Sequence, residues 1–136
     1  MDEQSAIARA RNLPISRKQA LEVCNFIKGR SVKQAERVLE RVIALKQAVP
    51  IKRFHKDLGH KAPHISSGSY PIKVSTEILK LVRSAAKNAE DKGLNEEKLM
   101  ISNIQANKGT TQWHYGRKGR RQMKQTHVEV LVREKA

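Results

Sequence analysis

The sequence predicts an α+β fold, with three helices packed on a small antiparallel sheet and a long β-hairpin protruding from it. Three observations predict it. Apolar residues recur at helical spacing in three windows between residues 16 and 92. They alternate at strand spacing near both ends of the chain. About twenty residues with no core pattern separate the last two strand candidates. At 136 residues the chain suits one domain, 1–136. Within it we expect a mostly globular body over 5–98 with a basic loop at 50–71, then an extended hairpin over 99–133 with its tip near 110–124.

Each element has a local reason. In residues 5–11, Ile7, Arg9 and Arg11 fall on one side and Ala6, Ala8 and Ala10 on the other, as in a half-exposed strand. Pro14 and Ser16 break it, and Ser16 is a natural N-cap. The first helix carries Ala20, Val23, Cys24 and Ile27, and Gly29 ends it at a C′-type position. Ser31 caps a second helix with Val32, Ala35, Leu39 and Val42 on one face, ending before Pro50. Residues 50–71 are rich in Pro, Gly and Ser and read as a loop, ordered alone or by a ligand, not as a core element. Pro71 suits the first turn of a third helix, whose buried stripe is Val74, Ile78, Leu81, Val82, Ala85 and Ala89, and which Gly93 stops. Leu99 to Ala106 and Thr126 to Arg133 are the hairpin strands. In the second, Val128, Val130 and Val132 alternate against His127, Glu129, Leu131 and Arg133. Arms paired out to Gly116–Gly119 would have about 16 residues each and reach roughly 50 Å.

Composition narrows the function. The 28 Lys and Arg against 13 Asp and Glu give a formal charge of +15, which repels itself unless a polyanion is met. The hydrophobic fraction of 38% implies a small core. One Cys excludes an internal disulfide framework and suits a reducing compartment. No apolar run approaches the roughly 18 residues of a membrane span. The opening Met1-Asp2-Glu3-Gln4 lacks the basic and apolar regions of a signal peptide, so a cytoplasmic protein is expected. Few aromatics disfavour a membrane-surface helix. Nucleic acid remains, and basic surfaces from three separate stretches point to several contacts on one large RNA.

The strongest RNA candidates are Arg117, Lys118, Arg120 and Arg121, in a window from Glu97 to Glu129 that holds no carboxylate between its ends. Arg grips phosphate with a planar fork and stacks on bases. Gly116 and Gly119 suit the hairpin turn and a close backbone approach. Trp113 and Tyr115 either stack on unpaired bases or pack on the hairpin's own arms; His114, Lys108 and Lys124 lie in the same window. Arg9, Arg11, Arg17 and Lys18 surround the first strand and the start of the first helix, where free N–H groups attract phosphate. Lys52, Arg53, His55, Lys56, His60, Lys61 and His64 place a third basic cluster in the central loop. The spacing of His55, His60 and His64 is too loose for a structural zinc set, so no metal is expected. No cofactor motif, nucleophile elbow or carboxylate pair supports catalysis, so an RNA-modifying enzyme is disfavoured. The alternative reading is a helix-turn-helix DNA-binding regulator built on the first two helices. Glu36 and Glu40 then sit where base-reading residues should cluster.

Several motifs, taken in order, resemble a known family. Ala6-Ile7-Ala8-Arg9, Ile15-Ser16-Arg17-Lys18, Ile27-Lys28-Gly29 and Ala35 resemble ribosomal protein twenty-two of the large subunit. Val49-Pro50-Ile51-Lys52-Arg53-Phe54, Gly59-His60, Tyr70-Pro71, Asn88-Ala89-Glu90, Lys92-Gly93-Leu94, Ile104-Gln105, Asn107-Lys108 and His127-Val128-Glu129 resemble its archaeal and eukaryotic branch. The resemblance implies a small α+β body at the outer mouth of the peptide exit tunnel, beside neighbouring ribosomal proteins. It implies a hairpin that lines the tunnel near the nascent polypeptide. It also implies contacts with several domains of large-subunit rRNA, help in subunit assembly, and neither a cofactor nor a homo-oligomer. The tip departs from the family. Gly109-Thr110-Thr111-Gln112-Trp113-His114 replaces an arginine-dense ascending arm, and the return has no proline.

Overall fold

A computed structural model describes residues 5–135. The elements are β1 (Ser5–Leu13), α1 (Arg17–Ile27), α2 (Val32–Ile43), β2 (Val49–Pro50), β3 (Gly68–Ser69) and α3 (Ile72–Asp91). A 3-10 turn (Glu96–Lys98), β4 (Leu99–Lys108), β5 (Gln112–Trp113), a second 3-10 turn (Gly116–Lys118), β6 (Gln122–Met123) and β7 (Thr126–Glu134) follow. The main sheet is antiparallel in the order β1-β7-β4. The α+β fold with three helices is as the periodicity predicts.

The middle strand explains the layering. Val128, Val130 and Val132 of β7 are buried while His127, Glu129 and Leu131 are half-buried, so one face carries the helices and the other stays open. On β1, Ala6 and Ala8 are buried, and α3, which packs on β1, buries Ala85 and Ala89 completely. Side chains this small let helix and sheet approach closely. Two α3 side chains then reach the outer edge of β1. Asn88 Nδ2 donates to the Ile7 carbonyl at 3.0 Å and Lys92 Nζ to the Ser5 carbonyl at 2.8 Å. The β4 edge is covered by the α1–α2 turn. Gly29, at φ +77°, donates its N–H to the Ile101 carbonyl at 3.0 Å, and Ile101 N–H returns to the Arg30 carbonyl at 2.9 Å. Ile27, Leu39, Ile78, Val82, Leu99 and Ile101 fill the centre, each almost wholly buried.

Helix ends differ in detail from expectation. Ser31 caps α2 as predicted, its Oγ accepting from Gln34 N–H at 3.3 Å. Ser16 stands at the N-cap of α1 but its side chain makes no capping bond. Helix α2 stops well short of Pro50, because Leu45 turns to φ +60° and the Lys46 and Gln47 N–H groups fold back on the Arg41 carbonyl. Pro71 is the N-cap of α3 and Ile72 its first helical residue, one position later than predicted.

The central stretch is not a plain loop. Val49–Pro50 pairs with Gly68–Ser69, and Ile51 is buried. Glu22, only 3% exposed, faces it from α1. Its carboxylate accepts the backbone N–H groups of Lys52, Arg53 and Phe54 at 3.2, 2.8 and 3.1 Å. The Ser67 hydroxyl donates to the Lys56 carbonyl. A Cβ at the buried Gly68 would lie 3.0 Å from Lys61 Cγ, so any side chain here would require Lys61 and Ile65 to shift.

The hairpin ladder does not run unbroken to the tip. It extends to Lys108↔Thr126, and resumes only at Gln112↔Met123 and Trp113↔Gln122. Residues 109–111 thus face residues 124–125, three against two, a bulge. Gly109 N–H still donates to the Gln125 carbonyl at 2.9 Å. A Cβ there would meet Gln125 Cβ at 3.0 Å. Gly-Thr-Thr-Gln has no alternating apolar face to hold register.

Candidate nucleic-acid interface

All three basic stretches contribute to one cavity. A cavity of about 330 Å³ is lined by Ser16, Arg17 and Lys18 of α1's start, His55 of the central loop, and Lys108, Thr111, Lys124 and Gln125 of the hairpin root. Its lining holds no carboxylate. The same face is organised by Phe54. The Arg17 guanidinium, Lys18 ammonium and Arg53 guanidinium lie 5.7, 5.4 and 5.3 Å from the ring centroid. One aromatic face offsets part of the repulsion among three cations. Because Glu22 fixes Phe54 through its backbone, a buried carboxylate sets the position of exposed positive charge.

Arg9 and Arg11 occupy a separate groove on the open face of the sheet, about 530 Å³ in volume, with Asn107, His127 and Glu129. Both arginines are exposed, and Arg9 pairs with Glu129. Asn12, at φ +56° beside the β1 bulge, donates its N–H to His127 Nδ1 at 3.1 Å. In the neutral ring this leaves Nε2 as a donor.

The distal hairpin carries the other candidates. Arg117, Lys118, Arg120 and Arg121 are exposed. Trp113 is 62% and Tyr115 84% exposed, so neither is buried against the arms. The ring of half-buried His114 lies 5.1 Å from that of Tyr115, and its backbone N–H donates to the Arg121 carbonyl at 2.7 Å. Gly116 takes φ +70°, as a turn glycine should. Gly119 lies in the same turn with ordinary right-handed backbone, φ −58°, and donates its N–H to the Gly116 carbonyl. A Cβ there would stand 3.3 Å from that oxygen, a tight contact that a small backbone shift relieves.

The remaining basic loop residues, Lys52, Lys56, His60, Lys61 and His64, are exposed and do not line the cavity. Among the described residues, the histidines join no metal-ligand cluster. Cys24 is buried and its thiol is pushed up to about 12 by desolvation, so it stays protonated and unreactive. The acids sit elsewhere: Glu36 and Glu40 of α2 face Arg83 of α3, and Glu97 pairs with Lys33. Burial raises the Glu36 carboxyl above its ordinary value, Arg83 opposing and Glu40 and Glu96 adding to the rise. Thr111, Gln125 and Asn107 were not legible as site residues. Only the three-against-two stagger and the strand register bring them to their grooves. Glu22 and Thr126, whose hydroxyl donates to the Ile15 carbonyl at 2.9 Å, left no sequence signal either.

Comparison with known proteins adds a lineage. Residues 8–133 match the family described as ribosomal protein L22p/L17e. The large ribosomal subunit protein uL22 of Methanococcus aeolicus is 43% identical, over 96% of this chain and 90% of the relative. That of Methanocaldococcus jannaschii is 40% identical over 97% and 89%, and that of Thermofilum pendens 37% over 97% and 91%.

Proposed function

The chain belongs to the ribosomal protein L22p/L17e family, and from that premise we propose that it is a structural constituent of the large ribosomal subunit in the cytoplasm. It binds large-subunit rRNA through its basic surfaces, touching several RNA domains, and helps the subunit assemble. The body stands beside neighbouring ribosomal proteins at the tunnel exit, and the distal hairpin lines the exit tunnel near the nascent polypeptide. The family is a structural class, not a catalytic one. The observation that carries the RNA reading is the segregation of charge. Arg17, Lys18, His55, Lys108 and Lys124 converge on one cavity, while Glu36, Glu40 and Glu97 are engaged on α2, α3 and the turn before β4. Arg11, Lys56, Arg117, Lys118, Arg120 and Arg121 extend the basic surface. Phosphate neutralisation supplies affinity and RNA shape supplies specificity.

The helix-turn-helix reading gains nothing from the structure. The apolar side of α2 is buried, and its acids are turned to Arg83. Sedimentation of the tagged chain in host lysate tests the proposal. Co-migration with the large subunit that survives moderate salt is expected; migration at the top of the gradient at low and moderate salt would refute it.

A further inference from the structure

We propose that the cavity at the hairpin root is a phosphate site, and that a backbone phosphate of bound RNA, seated there, locks the distal hairpin against the body. The inference rests on the RNA-binding reading above and concerns how that binding acts on the protein.

Charge is the first argument. The cavity gathers Arg17, Lys18, Lys108, Lys124 and His55 from three separate segments. None of the four cations appears in an ion pair among the described residues. Glu22 lines the adjoining smaller cavity, but its carboxylate is already taken by three backbone N–H groups. Unscreened like charges in a concave site with low-dielectric walls raise the local potential and draw anions in. The hydroxyls of Ser16 and Thr111 and the amide of Gln125 add neutral partners for phosphate oxygens. A volume of about 330 Å³ admits a phosphate together with its sugar.

Mechanics is the second. The continuous ladder stops at Lys108↔Thr126, and the next part of the hairpin is a two-stranded ribbon, β5 with β6, outside the main sheet. The hydrogen bonds Gly109–Gln125 and His114–Arg121 hold the arms to each other. They do not fix the ribbon's angle to the body. Lys108, at the edge of the bulge, and Lys124, within it, line the cavity together with the two cations at the start of α1. With the cavity empty, like charge pushes these walls apart; an anion between them reverses the sign. Phosphate is therefore the element that makes hairpin and body one rigid unit.

Spin-label distance measurement on the full chain tests this. Ser84→Cys on α3 and Gln122→Cys on the ribbon give exposed attachment points, while buried Cys24 resists labelling. The probes are polyuridylate RNA, inorganic phosphate, and chloride at matched ionic strength. A broad distance distribution should narrow at least twofold with RNA and with millimolar phosphate, but not with chloride. Lys108→Ala/Lys124→Ala should still bind RNA, with a salt slope shallower by about 1.4, at roughly 0.7 per single-strand contact. Its distribution should stay broad. A tip variant, Arg117→Ala/Lys118→Ala/Arg120→Ala/Arg121→Ala, should lose more affinity yet still narrow. Narrowing in Lys108→Ala/Lys124→Ala equal to the parent's, or RNA binding that leaves the parent's distribution unchanged, would overturn the lock alone. Absence of RNA binding by the parent would overturn the functional reading and the lock with it. Narrowing with RNA but not with phosphate would overturn a simple phosphate site.

Discussion

The body and the distal hairpin solve opposite problems with the same chain. In the body, part of the charge is answered within the protein: Arg83 by Glu36 and Glu40, Arg9 by Glu129, Lys33 by Glu97. Apolar residues there fill a centre in which Ile78, Leu39 and Ile101 are fully buried. In residues 109–125 there is no carboxylate, and Trp113, Tyr115 and Met123 are exposed. The body is stabilised by what it removes from water. The hairpin keeps its aromatic and cationic groups in water, where they are free for a partner. The tip therefore contributes to binding and little to stability, whereas the body supplies the stability and shares in the binding at the hairpin root; perturbing the tip should leave stability intact.

That division can be tested by four changes of decreasing effect on the unfolding free energy. Ile78→Ala deletes a fully buried side chain beneath the sheet and should cost about 2–5 kcal/mol in urea denaturation. Its RNA affinity under folding conditions should be unchanged. Glu22→Ala leaves three backbone N–H groups without their acceptor and should cost about 1–3 kcal/mol. It should also weaken RNA binding, because Phe54 and its cations lose their anchor. A variant with lowered stability but parental RNA affinity would show that the loop anchor does not organise the basic face.

Glu36→Gln should act weakly and in the stabilising direction. The folded-state carboxyl is raised above its unfolded value, so the folded protein favours the protonated acid. The penalty is present while Glu36 is ionised near neutral pH and is relieved as pH falls through the folded value. The substitution should therefore add a few tenths of a kcal/mol at neutral pH, partly offset by weaker pairing with Arg83, and nothing at acid pH. Denaturation at both pH values checks the sign. Smallest of all on stability is Arg117→Ala/Lys118→Ala/Arg120→Ala/Arg121→Ala, which should move the midpoint by less than about 0.5 kcal/mol. On RNA it should act strongly, making the slope of log affinity against log salt shallower by about 3. A stability loss comparable to that of Ile78→Ala would mean the tip folds against the body, and the contrast between the regions would fail.

The sequence by itself determined the repeating parts. Helical spacing located α1 to α3, and alternation in Val128, Val130 and Val132 located the central strand, because burial on one face imposes a period on the residues. The absence of any such period between Gly109 and Gln125, with its run of Arg and Lys, marked the exposed basic tip. Only the tertiary structure decided what depends on distance between remote residues. That Glu22 reads as a buried acceptor for Lys52, Arg53 and Phe54 follows from α1 and the loop meeting, which no local pattern encodes. Ser16 has the composition of a cap, yet its side chain makes no capping bond and the residue lines the hairpin-root cavity, to which the hairpin brings Lys108 and Lys124. Periodicity reports which side of an element is dry; it carries no information about which other element makes it so.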